Sequence, residues 1–113
     1  MELQITTNIE DEYILLSIKS QLLIENIAPL KTLLNKYVDE NKHILIDFSG
    51  VTFIDSSSLG ILVRFKMQLE EKDKYLILIN VTNDIMRMFN TTKLDQHIFI
   101  FDDIESAISS LGL

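Results

Sequence analysis

Two short runs, residues 43–48 (HILIDF) and 75–80 (YLILIN), carry apolar side chains at consecutive positions, and stretches of helical period separate them. A strand that is apolar on both faces needs cover on both faces, which is the situation of central strands in a parallel sheet flanked by helices. Residues 2–9 differ: Leu3, Ile5, Thr7 and Ile9 alternate with polar residues, the period of a half-buried strand. After the charged turn Glu10-Asp11-Glu12, residues 13–19 alternate again, and so tight a link between two strands favours an antiparallel hairpin. From Asn26 the period becomes helical, with Ile27, Leu30, Leu33, Leu34, Tyr37 and Val38 on one face. Asn26 is the expected N-cap, and Pro29 falls in the first turn, where its missing N–H does little harm. A turn is expected at Ser49-Gly50, then a helix over 57–71, one from Thr82 or Asn83 to about Asn90, a strand over 97–101 and a final helix through Ile104, Ala107, Ile108 and Leu111. The order is ββαβαβαβα. It predicts one α/β domain over residues 1–113, with a mixed, mostly parallel sheet packed against helices.

The length of 113 residues suits one such domain, and 34 of them are Ile or Leu, enough for a core without covalent staples. With no cysteine, disulfides, thiolate metal sites and cysteine nucleophiles are excluded. Seventeen acidic residues against ten basic ones give a formal charge of −7, and the basic residues are scattered singly, so a nucleic-acid partner is not expected. The longest purely apolar run, Tyr75 to Ile79, is far too short for a membrane helix, and no membrane insertion is expected. The opening MELQITTNIEDE resembles no export signal, and the expected compartment is the cytoplasm.

The chemical inventory is thin. Neither His43 nor His97 has a partner at metal-ligand or triad spacing, and each is expected at a strand edge. Gly50, Gly60 and Gly112 are isolated, so no phosphate loop or dinucleotide fingerprint can be drawn. The acidic clusters at 10–12 and 102–105 read as a turn and a helix N-terminus. No enzymatic activity, metal or cofactor is expected. One constellation stands apart: Asp55-Ser56-Ser57-Ser58-Leu59-Gly60 follows a strand and opens an amphipathic helix. A serine hydroxyl capping the helix accounts for one of these groups. A cap needs one hydroxyl, however, and three are present beside a carboxylate, at a junction where functional groups of α/β folds surface. Along the helix, Leu59, Leu62, Val63, Lys66 and Leu69 form a stripe expected to face the sheet. Ile61, Arg64, Phe65 and Gln68 form a second stripe, which reads either as a partner-docking face or as the flank of a wide buried surface.

The segment ILIDFSGVTFIDSSSLGILV resembles the strand, turn and D-S-[ST]-G-L-G motif of STAS domains, in particular single-domain anti-sigma-factor antagonists. The later NVTNDIMRMFNTTKLDQHIFIFDDIESAI is similar to the family's helix, turn, strand and final helix. The resemblance implies partner switching. An unphosphorylated antagonist binds a GHKL-type anti-sigma serine kinase and so frees a sigma factor; phosphorylation ends the binding, and a metal-dependent serine phosphatase restores it. It implies Ser57 as phosphoacceptor, with Ser58 and Ser56 as alternatives, and a docking surface of Asp55, Ser56, Ser57, Ser58, Ile61, Arg64, Phe65 and Gln68. Three positions depart from the pattern. Ser58 stands at a usual glycine, Lys93 replaces a glycine after the third helix, and residues 20–23 (SQLL) lack a Gly and an Asp often found there. The alternative the resemblance carries is an accessory subunit of a membrane lipid-transport ATPase.

Overall fold

A computed structural model, which describes residues 2–93 and 98–113, has the expected order. Its elements are β1 (Gln4–Ile9), β2 (Tyr13–Leu22), α1 (Ala28–Tyr37), β3 (His43–Ile54), α2 (Ser56–Glu70), β4 (Leu76–Ile79), α3 (Asn83–Thr92), β5 (Phe99–Phe101) and α4 (Ile104–Leu111). The strands lie side by side in sequence order, with β1 antiparallel to β2 and the other neighbours parallel. His97, expected in the last strand, lies outside the described residues.

Alternation along the strands divides the core in two. Ile14, Leu16, Ile18, Ile44, Ile46, Phe48, Leu76 and Leu78 meet Leu30 and Leu34 of α1, Leu62 and Leu69 of α2, and Ile85 and Phe89 of α3. On the opposite face Leu45, Ile77 and Ile79 pack with Ala107 of α4. Every residue of β4 is buried, as its unbroken apolar run requires. Fully burying one such side chain contributes about 1.5–3 kcal/mol over leaving it exposed.

Two local expectations are corrected. Asn26 does not cap α1, whose N-cap is Ile27 with no side-chain bond. Asn26 closes the preceding loop instead, its Oδ1 accepting from the Leu23 N–H at 2.8 Å and its Nδ2 donating to the Gln21 carbonyl at 2.9 Å. Nor do Ser49 and Gly50 form a turn, because β3 runs through them to Ile54. The pairing with β2 shifts register on either side of Lys19↔Gly50 and Ser20↔Val51, bringing the strands unusually close. A Cβ at Gly50 would lie 2.7 Å from the Ile18 carbonyl oxygen, so glycine is required by approach. This passage carries β3 past the end of β4 and delivers Asp55 and the serines to the sheet's rim.

Two departures from the family pattern keep a glycine-like backbone. Ser20 has φ 135° and Lys93, which ends α3, has φ 59°. A side chain in the left-handed region at the end of a helix is strained relative to glycine. Lys93→Gly is therefore expected to stabilise the chain by about 1 kcal/mol, read as a higher urea midpoint at unchanged slope. An unchanged or lower midpoint would contradict that strain.

His43 gives the fold a pH dependence. Its Nδ1 accepts from the Tyr75 N–H at 3.0 Å, and its ring stacks on Tyr75 with centroids 5.5 Å apart. Burial first, and then the charge of Lys74, push its pKa below the usual histidine value, with Glu12 opposing them. The unfolded chain thus takes up this proton more readily than the folded one. The contribution is fully present above a pH of about 6.5 and is lost as pH falls through the folded value. Urea melts between pH 7.5 and 5.5 should show a decline that His43→Gln reduces; equal declines in both proteins would count against the assignment.

Candidate functional site

The site forms where β3 ends and α2 begins. Asp55 takes an extended conformation and is the N-cap, its Oδ1 accepting from the Ser58 N–H at 2.8 Å. The cap is thus the carboxylate and not a serine, which corrects the simplest expectation for the three hydroxyls. Ser56, Ser57 and Ser58 occupy the first helical turn, and their fates differ. Ser56 and Ser57 are exposed at the open end of the helix, where the first N–H groups lack intrahelical partners. Ser58 is 0% exposed, and its Oγ makes no hydrogen bond of proper geometry. Of the three hydroxyls, that of Ser58 is therefore the one closed off from solvent.

Asp55 does more than cap. Its Oδ2 accepts from the Ile24 N–H at 2.9 Å, and its own N–H donates to the Leu22 carbonyl at 3.0 Å. The residue therefore joins α2 to the loop between β2 and α1. Partial desolvation pushes its carboxyl up, but the nearby Ser58 side chain and the N–H groups of Ile24 and Ser58 outweigh this and hold it below the usual carboxylate range. Asp55 is an anion at neutral pH, beside two exposed hydroxyls.

Of the two readings of the second helical stripe, its apolar members follow the wide buried surface. Ile61 is 8% exposed and Phe65 is 2% exposed, and both pack into the core with Leu59, Leu62 and Leu69. α2 buries a wide face, because Leu59, Ile61, Leu62, Phe65 and Leu69 all enter the one core shared by the sheet, α1 and α3. Arg64 is exposed and Gln68 half-buried, so only these two of that stripe reach the surface. The apolar surface near the serines comes from elsewhere. Phe53 at the end of β3 is 42% exposed, and Ile24, bonded to Asp55, is 57% exposed. A cleft of about 290 Å³ opens beside Ser56 between Phe53, Ile54 and Leu59 on one side and Met88 and Phe89 of α3 on the other. Phe53 lies in the tail of β3, where Thr52 and Phe53 are both exposed between buried Val51 and Ile54, so neither alternation nor the reading of Ser49-Gly50 as a turn points to it. Ile24 carries no periodicity signal at all.

Gly60 adds to the surface. It is exposed at the start of the second turn of α2, and a Cβ there would meet nothing within 4 Å. The fold does not require glycine at this position, which costs a helix about 0.5–1 kcal/mol relative to alanine. Among the described residues no group of acidic and histidine side chains is arranged to hold a metal ion. No described helix is long and apolar enough to cross a membrane.

Over most of its length the chain is similar to known proteins. An anti-sigma-B factor antagonist of Staphylococcus aureus is 27% identical over 95 residues, covering 83% of this chain and 88% of the relative. The crystal structure of a proposed anti-sigma factor antagonist from Thermotoga maritima superposes with a TM-score of 0.86 at 26% identity, covering 96% of this chain and 95% of that one. The fold is also that of the anti-sigma factor antagonist SpoIIAA in its unphosphorylated form, with a TM-score of 0.72, 18% identity and 97% of each chain covered. The sequence model of the STAS domain matches residues 1–107, and this chain belongs to the STAS domain family.

Proposed function

We propose that this chain is an anti-sigma-factor antagonist that works in the cytoplasm by partner switching, with Ser57 as its phosphoacceptor. The observation that carries the reading is the division of labour at the start of α2. Asp55 caps the helix, Ser58 is buried, and Ser57 presents an exposed hydroxyl at the position that matches the family's acceptor. In the unphosphorylated state the rim formed by Asp55, Ser56, Ser57 and Arg64, with the apolar Ile24 and Phe53 beside it, docks on a GHKL-type serine kinase that otherwise holds a sigma factor. Transfer of the γ-phosphoryl group of ATP to Ser57 Oγ, with loss of the hydroxyl proton, brings a charge of about −1.5 to −2 into that contact. The phosphate sits next to Asp55 and must be desolvated for the partner to stay, so binding weakens while the helix N-terminus tolerates the anion. A metal-dependent serine phosphatase returns the chain to its binding form. The name of the Staphylococcus aureus relative supports the same role.

Incubation with ATP and the cognate serine kinase, followed by mass-spectrometric mapping, tests the acceptor. Phosphate is expected on Ser57 and absent from Ser57→Ala. Label on Ser56, label persisting in the variant, or co-purification with a membrane ATPase in place of the kinase would overturn the reading.

Gly60 separates docking from stability. Gly60→Ala is expected to raise stability by about 0.5–1 kcal/mol. The same methyl group should weaken kinase binding, because it stands on the surface one helical turn beyond the serines. Titration calorimetry and thermal melts of the one variant check both signs, and unaltered affinity would remove Gly60 from the contact.

A further inference from the structure

We propose that Asp55 couples charge at Ser57 to the loop between β2 and α1, so that an anion on Ser57 releases Ile24 from its position on the docking face. The proposal rests on the reading of Ser57 as a phosphoacceptor and adds the means by which one modified atom alters a second part of the surface.

The coupling is built from one carboxylate with two commitments. Oδ1 holds the Ser58 N–H of α2 and Oδ2 holds the Ile24 N–H, 31 residues earlier in the chain. Asn26 ties the loop to itself through Leu23 and Gln21, whereas Asp55 ties it to α2. The strand entering the loop carries the strained Ser20, at φ 135°, beside a register shift, so the backbone upstream does not hold the loop in its most relaxed form. Ile24 itself points largely into solvent and gains little from burial where it stands. The Asp55 N–H holds the Leu22 carbonyl where the loop begins, and the bond to Oδ2 is the one that reaches Ile24 itself and orients this apolar side chain.

A phosphate on Ser57 adds a second anion to the same helix end. It repels the Asp55 carboxylate and competes with it for the N–H groups of the first turn. Of the two bonds, the one to Ser58 lies within the helix cap and is shielded by the buried Ser58. The one to Ile24 is exposed and gives way first. Asp55 acts here as a positioning residue: it touches no phosphate donor and places Ile24.

Amide hydrogen exchange followed by NMR on the full chain tests this with no partner present. Asp55→Asn keeps a good N-cap but has one side-chain acceptor oxygen in place of two, so it retains the Ser58 bond and loses the Ile24 bond. Exchange at Ile24 is expected to rise about tenfold or more in Ser57→Glu and in Asp55→Asn, with Leu78 of β4 unchanged as the control for global opening. In the double variant no further rise is expected, since the connection has already been removed. The phosphorylated wild-type chain should show the same loss at Ile24. An Ile24 amide indifferent to charge at Ser57, or effects that add in the double variant, would overturn the coupling. Because the readouts on the variants use no kinase, failure there leaves the Ser57 assignment standing. Conversely, phosphate mapped elsewhere would remove the assignment while the response of Ile24 to Ser57→Glu stands.

Discussion

The Asp55 carboxylate is the interaction on which the rest of the site depends. By capping α2 it takes the role a serine would otherwise fill, and so leaves the hydroxyls of Ser56 and Ser57 at the surface. By accepting from Ile24 it fixes the neighbouring loop against the same helix end. By remaining ionised it sets the electrostatic background that a phosphate would meet. One side chain thereby joins helix initiation, loop placement and the response to added charge. Each follows from a carboxylate having two oxygens and a helix having unpaired N–H groups at its start.

The fold brings this carboxylate to the surface through strand length. β3 is buried over its first residues, where it lies between β2 and β4, and then continues beyond the end of β4. The close approach at Gly50 lets β3 stay paired with β2 along that extension. What emerges is a short stretch ending in Phe53, Ile54 and Asp55, with three helices on one face of the sheet and α4 on the other. The apolar layers lie behind this rim, on the two faces of the sheet.

Much of this architecture was legible in the sequence, and what was missed has identifiable physical causes. Periodicity decided the element order, because HILIDF and YLILIN read as doubly covered strands and the stretches between them as helices. Ser49-Gly50 was misleading because glycine marks close approach as well as turns, and one chain does not distinguish them without its neighbour strand. The three serines stand out in the sequence, but the pattern does not say which group caps the helix, since Asp55, three residues before Ser58, is as good a capping residue as a serine. Ile61 and Phe65 were ambiguous because helical spacing gives the direction of a side chain and not what lies there; the core fills both directions around α2. Ile24 and Phe53 were overlooked because their significance arises from a contact 31 residues distant and from a strand tail whose alternation breaks at Thr52 and Phe53. Ser20 and Lys93 show the converse, that a backbone can keep a glycine's conformation after the glycine has gone.

The central claim is that Ser57 carries the switch and that its phosphate acts on docking. The most direct measurement is the affinity of the chain for its serine kinase, before and after stoichiometric phosphorylation at Ser57, with a heteronuclear NMR spectrum of each form. The expected result is a loss of about a hundredfold or more in affinity, equivalent to a few kcal/mol, with spectral changes confined to the start of α2 and the β2–α1 loop. Equal affinity of the two forms, or loss accompanied by collapse of the dispersed spectrum, would contradict it.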